Sequence, residues 1–499
     1  MLRLNRTFYV LLLAATMVCG CSQHEESEVT DSGLETRTTG IVFRLQANGT
    51  SATTRSVEDS GNYLQGDDKE YWVYNARVYL YDSPTKLFVK SIQLKINYEK
   101  NGIQPFDGSH TFFETERVSI PQGSYDIFVI ANSDKVISRA TEDQFLAAID
   151  STTYVQGQIS DISKGIVMTN RGSDNIGQLI SSTATNDETV IPIKLERVLA
   201  RLDIGKDKDE YPLTVPGSAK TYATVMLDRH YIVNMPKYYY LFRHTAVLEN
   251  ENAMNVPNWN INQNFGNVSE SNGYVIDPYF FKKTINAEGF TNQDKYYEHF
   301  LGNYTSPNSV AWTTFKSAGN YNTAYCLENC MLQQAQKNGY STGIFFDARI
   351  EPNNNVYKLN DANELVLITD KTKYPDPIYY YNYNFYDSPN AVKKAAGISS
   401  TSATDEDIYT KKFKKSDDGY HCYYVYWIRH EDNHDNYKMD VMEFAIVRNN
   451  YYKMHVTDIA GLGDTDIPIV PDKPDEGETY LKVELKVRSW IVRNIPITF

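Results

Sequence analysis

The sequence predicts a mainly β protein arranged as two β-sandwich domains with few short helices, and three observations predict it. Tyr is abundant, at 39 of 499 residues, and Tyr, Val, Ile and Thr suit pleated, partly wet sheet faces. Short runs of period-two alternation recur along the chain, separated by Gly, Pro, Asn and Asp turn signals. One helix stands out, and the rest of the chain is dominated by strand patterns. A chain of this length can bury sizeable cores and divides most naturally into two domains.

The first twenty residues read as an export signal. Arg3 and Arg6 give a cationic start, and Phe8 to Val18 is an apolar stretch too short to span a bilayer comfortably. Cys21 directly follows Gly20 and precedes polar sequence, so it is the expected site of lipidation. Ser22 to Glu28 is acidic and has no apolar residue to bury, which suits a solvated tether or an address for surface export. The formal net charge of −14 argues against a nucleic-acid partner and against charge-driven binding to anionic lipid. With Cys19 and Cys21 set aside, Cys326, Cys330 and Cys422 remain; an odd number at irregular spacing is no disulfide framework, and buried free thiols are expected.

Ile41 to Ala47 is the first strand, followed by a polar stretch from Asn48 to Ser60. Val73 to Tyr81 alternates and ends at Asp82-Ser83-Pro84, and Leu87 to Ile96 continues as its hairpin partner. Arg117 to Ile120 and Tyr125 to Ala131 flank the turn Pro121-Gln122-Gly123. Thr141-Glu142-Asp143-Gln144 is a capping-box pattern that opens a helix over Phe145 to Ile149. Ile191 to Ile204 reads as one more strand region, with Arg197 and Arg201 interrupting the apolar residues.

A charged, Pro-containing stretch around Gly205 to Gly217 marks the domain boundary. The second domain opens with a Tyr-rich strand pair, Tyr222 to His244, about Asn234-Met235-Pro236-Lys237. Residues 247–320 lack clean periodicity and read as long loops or an insertion. Strand character returns at Gly343 to Ile350, Leu365 to Thr369, His421 to His430 and Phe444 to Val456.

The closing segment is the most regular of all. Leu481, Val483, Leu485 and Val487 fall on one strand face and Lys482, Glu484, Lys486 and Arg488 on the other. Trp490 and Val492 extend it after a break, and a Pro- and Asp-rich linker from Ile467 to Gly477 precedes it, stiffened by its prolines. Two uses fit this pattern: a terminal hairpin folded back on its own domain, or a strand lent to a neighbouring subunit. Burying the four aliphatic side chains would contribute roughly 6–12 kcal/mol before ordering costs, and backbone pairing along an open groove would add specificity.

A groove must first be vacant. Arg55 sits among Thr, Ser, Gly and Asn, an accessible setting for a protease, and a cut between Arg55 and Ser56 would free residues 21–55 with the first strand. Arg37 and Arg44 are competing sites. Arg44 should be protected within the strand, and cutting at Arg37 would leave the groove filled. Chemistry points nowhere: there is no His-Glu-x-x-His, Gly-rich phosphate loop or Gly-x-Ser-x-Gly pattern. His430-Glu431-Asp432-Asn433-His434-Asp435 is the only metal-like run, and its composition favours a polar loop over four tetrahedral ligands. No catalytic residue, metal site or cofactor is expected.

Several segments in shared order resemble one family: Cys21, Thr54-Arg55-Ser56, Ile193 to Arg201, Tyr325 to Asn329, Ile446 to Tyr452, and the Trp-containing Val483 to Val492. Over essentially its full length the chain resembles the minor-fimbrium (Mfa-like) fimbrillins, subunits of type V pili of Bacteroidetes. The resemblance implies two transthyretin-like β-sandwich domains and delivery as a surface lipoprotein, held at the outer membrane through lipid on Cys21 before processing. It also implies removal of the first strand by an Arg-specific protease and assembly by strand exchange with identical or related fimbrial subunits, alongside anchor and tip subunits. The expected division is a signal peptide (1–20), a propeptide (21–55), an N-terminal sandwich (56–207), a C-terminal sandwich (208–464), and a linker with donor strands (465–499). A candidate Arg and a candidate donor strand together favour a stalk subunit; a tip adhesin or a carbohydrate-binding surface lipoprotein is the alternative.

Overall fold

In the computed structural model, strands Ala76–Asp82 and Gly123–Ala131 lie side by side, antiparallel, and are buried on both faces. The structure describes residues 38–47, 70–97, 113–151, 154–155, 158–159, 165–172, 174–181, 189–248, 259–260, 273–280, 283, 295–331, 335–398, 409, 411–430, 442–467, 469–470, 472–475 and 481–489. From Thr38 onward the chain forms one compact unit. It is mainly β, with several sheets and few helices.

Side-chain alternation sorts the two early strands between two cores. Val78, Leu80, Ile127 and Val129 point into a first core, shared with Ile41, Phe43, Leu45, Ile191, Ile193 and Leu195. Tyr79, Tyr81, Phe128 and Ile130 point into a second, larger core that continues into the later half of the chain. The sequence suggests partly wet Tyr faces, yet Tyr79 and Tyr81 are both 0% exposed. Their hydroxyls make this possible: Tyr81 Oη donates to Arg139 O at 3.1 Å, and Tyr79 Oη accepts from the Ile137 N–H at 3.1 Å. Once its polar tip is satisfied, a tyrosine buries its ring like any other apolar group.

The first core is wrapped by a nine-stranded sheet. Its order is Phe88–Leu94, Ala76–Asp82, Gly123–Ala131, Met168–Thr169, Thr189–Arg197, Thr38–Ala47 and Phe113–Glu114, with Val118–Pro121 also on Thr38–Ala47 and Gln178–Ile180 on Gly123–Ala131. The short helix Glu142–Leu146 starts at the expected cap, with Thr141 accepting from the Gln144 N–H, and sends Phe145 into the second core, but it ends before Ile149, which opens the strand Ile149–Ser151 instead.

Residues 191–204 are not one strand region but two strands in two sheets. Thr189–Arg197 belongs to the first sheet; after Val198 the chain crosses over, and Leu199–Lys206 pairs antiparallel with Tyr321–Leu327 and parallel with Asn450–Ile459. So residues inside the 56–207 span supply the hub of a later four-stranded sheet, whose outer member is Leu481–Ser489. Across the second core lies a sheet built on Tyr211–Thr214, Thr221–Val233, Gly343–Pro352 and Gly419–Trp427. The expected Tyr222–His244 strand pair is instead one long strand, Thr221–Val233, between Tyr211–Thr214 and Gly343–Pro352, followed by the short strands Met235–Pro236 and Tyr238–Tyr240, which pair with Tyr297–Glu298 and Ile149–Ser151 rather than with it. Asn234, at φ 55°, then redirects the chain, and its Nδ2 donates to Asn338 O and Ser341 O.

Arg197 and Arg201 do not interrupt the strands; they clamp the crossover. Arg197 Nε donates to Glu70 O at 2.7 Å. Arg201 bonds Glu70 through Nη1 at 2.9 Å and Asp203 through Nε at 2.9 Å, beneath hydroxyls of Tyr325 and Tyr451. The linker is also held down where it is described: Ile467 is buried, the Asn338 N–H donates to Lys473 O at 3.0 Å, and buried Asp475 accepts from the Ser341 hydroxyl.

Arg201→Ala would strand Glu70 and Asp203 as buried carboxylates without their shared cation. The expected loss is about 3–5 kcal/mol in urea unfolding; a loss below about 1 kcal/mol, the level of an exposed pair, would contradict the clamp.

Candidate functional site

Cys21, Arg55, Ser56, Trp490 and Val492 lie outside the described residues. The structure does place the first strand and the closing strand that carries Leu481, Val483, Leu485 and Val487.

Thr38–Ala47 extends the expected strand by three residues and sits inside its sheet. One edge runs parallel to Thr189–Arg197, from Ile41 opposite Thr189 to Ala47 opposite Leu195. The other edge is antiparallel to Val118–Pro121 and Phe113–Glu114. The Phe43 N–H donates to Thr115 Oγ1, and Phe43 O accepts from the Thr115 N–H, both at 3.0 Å. Ile41, Phe43 and Leu45 are each 0% exposed. Burying three such side chains contributes roughly 5–9 kcal/mol. Arg44 faces outward and pairs with Glu114 at 2.6 Å, but its backbone is paired on both sides, which shields it from a protease that needs an extended segment.

The closing strand is held far less. Leu481–Ser489 pairs antiparallel with Asn450–Ile459 and forms the outer edge of its sheet. The chain is therefore seen folded back on its own domain. Leu481 is buried, while Val483 and Leu485 are partly buried against the second core. Exposed Lys482 reaches Asp458 at 3.3 Å. Its apolar residues repeat every second position, the same spacing that Ile41, Phe43 and Leu45 use in the first core.

Cys326, Cys330 and Cys422 are buried free thiols. His430 Nδ1 bonds Tyr452 Oη at 2.7 Å, and residues 431–435 lie outside the described set. Sequence reading missed a basic cleft of about 980 Å³, lined by Arg229, Lys411, Lys415, His421, Tyr423 and Asp466 among others. The basic run Lys411-Lys412-Phe413-Lys414-Lys415 is a local signal that could have flagged it, whereas Arg229 and the residues from Asp464 to Ile467 come to it from distant segments. At its wall His421 sits between Asp347, at 2.6 Å, and Asp418, at 2.8 Å, and Asp347 also holds Arg229 at 2.6 Å. Burial works against charge on His421, but the two carboxylates outweigh it and raise its pKa above the ordinary value of 6.5. Although its own partial burial opposes this, His421 and Ser416 draw Asp418 down to about 2.

Comparison with known proteins finds two family matches on this chain. The family described as "Major fimbrial subunit protein (FimA)" matches residues 41–197. That described as "Major fimbrial subunit protein type IV, Fimbrillin, C-terminal" matches residues 417–495. No curated protein matches the sequence. Among solved structures, a fimbrilin (fimA) from Porphyromonas gingivalis W83 is 14% identical, covers 91% of this chain and 98% of its own, and has a TM-score of 0.40. A candidate cell adhesion protein from Parabacteroides distasonis ATCC 8503 is 13% identical, with coverage of 91% and 100% and a TM-score of 0.44. The tip fimbrial protein Mfa3 from Porphyromonas gingivalis, C-terminally truncated, is 12% identical, with coverage of 91% and 100% and a TM-score of 0.38.

Phe43→Ala should destabilise the uncut chain by about 3–5 kcal/mol in denaturant unfolding, because it hollows the first core; a near-neutral result would contradict the strand's role there. For His421 the folded pKa is raised, so its contribution is complete below 6.5 and is lost as pH rises through the folded value. The Tm gap between wild type and His421→Gln should therefore be widest in acid and close with rising pH; a gap that widens instead would contradict this.

Proposed function

We propose that this chain, which belongs to the fimbrillin family of Bacteroidetes type V pilus subunits, is a stalk-type subunit that polymerises by exchanging strands. As a fimbrial subunit it is a structural component of the cell-surface fimbrium, not an enzyme, and it assembles with other fimbrial subunits. In our reading the precursor is exported as a lipoprotein on Cys21, an Arg-specific protease cuts between Arg55 and Ser56, and the first strand leaves. The closing strand of the next copy then enters the vacant groove with Leu481, Val483, Leu485 and Val487, followed by Trp490 and Val492. Two transthyretin-like sandwiches, expected over 56–207 and 208–464 with the chain crossing between sheets at Val198, would form the body of each subunit, with the strand from Leu481 onward reaching the neighbour and anchor and tip subunits completing the polymer.

The observation that carries this reading is the contrast between the two strands. The first is interior, paired on both edges, with Ile41, Phe43 and Leu45 wholly buried. The closing strand is peripheral, paired on one edge, with Val483 and Leu485 only partly buried. Moving it into a vacated groove would trade one ladder of hydrogen bonds for two and would bury Val483 and Leu485 more fully. Asn450–Ile459 would lose its partner on that edge.

The test is made on cell-surface material. Arg55→Ala should keep a lipidated start at Cys21 and yield no SDS-resistant ladder. Leu485→Asp should be cut to a start at Ser56 yet also fail to polymerise. Ladders from either variant would contradict the reading.

A further inference from the structure

Lys283 is buried against three acceptors, one of them the side-chain carbonyl of an asparagine. Its Nζ lies 2.5 Å from Asp277 Oδ2, 2.8 Å from Asn329 Oδ1 and 2.8 Å from Cys330 O. Lys283 and Asp277 are each 2% exposed and Asn329 is 0% exposed. A turn after strand Gly273–Ile276 brings Lys283 back over Asp277, with the Lys283 N–H donating to Tyr279 O. The carboxylate is itself fixed by the N–H groups of Tyr279 and Cys330, at 2.8 and 2.7 Å.

The orientation of Asn329 is set by its surroundings. Its amide nitrogen donates to Tyr340 O at 2.7 Å and to Thr342 Oγ1 at 2.9 Å, so the carbonyl oxygen must face the lysine. Tyr297 Oη donates to that same oxygen at 3.4 Å. An ion pair with Asp277 alone would satisfy the lysine charge; the added carbonyl places an electrophile beside an amine and next to a carboxylate that can take its proton.

We propose that Lys283, Asn329 and Asp277 form a self-crosslinking site, in which Lys283 Nζ bonds to Asn329 Cγ as an isopeptide. Asp277 Oδ2 takes a proton from the Lys283 ammonium, and the freed amine attacks Asn329 Cγ while the Tyr297 hydroxyl bonds to the developing oxyanion. Asp277 returns the proton to Asn329 Nδ2, and the Cγ–Nδ2 bond breaks. Of the three hydrogens on the ammonium, one stays on the new amide and two depart with the asparagine nitrogen, which leaves as an ammonium ion. The step is redox-neutral and needs no further reactant. Fixed proximity replaces an encounter, and the neighbouring cluster of Tyr297, Phe300, Met331, Ala335 and Tyr340 keeps water from the intermediate.

The bond would staple the chain after Gly273–Ile276 to the end of strand Tyr321–Leu327. Asn329 is also bridged to Ile446 by two backbone hydrogen bonds of 2.9 Å, so the staple reaches the segment that leads into Asn450–Ile459. It stands independently of strand exchange.

The full-length protein is denatured, weighed by mass spectrometry and mapped after protease digestion. The expected result is a mass lower by one ammonia than its observed termini require, with a branched peptide joining Lys283 to Asn329. Both should vanish in Lys283→Arg and in Asp277→Asn. Wild type at its full sequence mass overturns the proposal. So does loss of one water with Lys283 joined to Asp277, or an ammonia deficit that persists in Lys283→Arg. Should a variant fail to fold, the wild-type peptide map alone decides.

Discussion

A strand inside a sheet carries hydrogen bonds on both edges and side chains in the core, so it cannot leave without exposing two rows of backbone groups and an apolar trough. Thr38–Ala47 is such a strand, between Thr189–Arg197 on one side and Val118–Pro121 with Phe113–Glu114 on the other. Whatever removes it creates a demand for another strand of matching two-residue spacing. The closing strand has that spacing and the weaker seat of the two. Under the strand exchange proposed above, assembly and maturation would share one constraint, the need to satisfy both edges of one groove.

The chain that would remain after a cut at Arg55 needs an anchor of its own near its new start. Glu70 provides one. Its carboxylate meets Arg201 and Tyr325, and its carbonyl accepts from Arg197, all within or beside the hub strand Leu199–Lys206. Loss of the first strand therefore need not unravel the body of the subunit. The same hub strand pairs with Asn450–Ile459, on which the closing strand rests, so Glu70 and the closing strand are both referred to one element.

Much of this was legible in the residues. Ile41 to Ala47 stands out as apolar sequence between polar stretches, and Thr141 to Gln144 announces its helix. The strict alternation from Leu481 marks a strand, but alternation names only a face and not the partner, so the fold-back pairing could not be read from it. The change of sheet at Val198 was hidden because Arg197 and Arg201 look like surface residues until Glu70 and Asn449 are brought to them from afar. Helix Pro389–Ala396 carried its signals openly, with Ser388 and Pro389 at one end and Gly397 at φ 69° at the other, but its few apolar residues make a weak stripe. The Lys283 cluster draws Asn329 from well along the chain, which no local pattern shows, whereas the basic cleft had a local signal in Lys411-Lys412-Phe413-Lys414-Lys415 that carried no partner with it.

The most direct measurement is disulfide trapping in assembled fimbriae, mixing subunits that carry both Leu485→Cys and Met454→Cys with subunits that carry Ile193→Cys. Ile193 lies in the first core, opposite Leu45 of the first strand, whereas Leu485 in the folded-back chain lies opposite Met454. Strand exchange predicts a disulfide between two different chains joining positions 485 and 193. If instead Leu485→Cys crosslinks only to Met454→Cys within its own chain in the assembled polymer, the closing strand never leaves home and the account is contradicted.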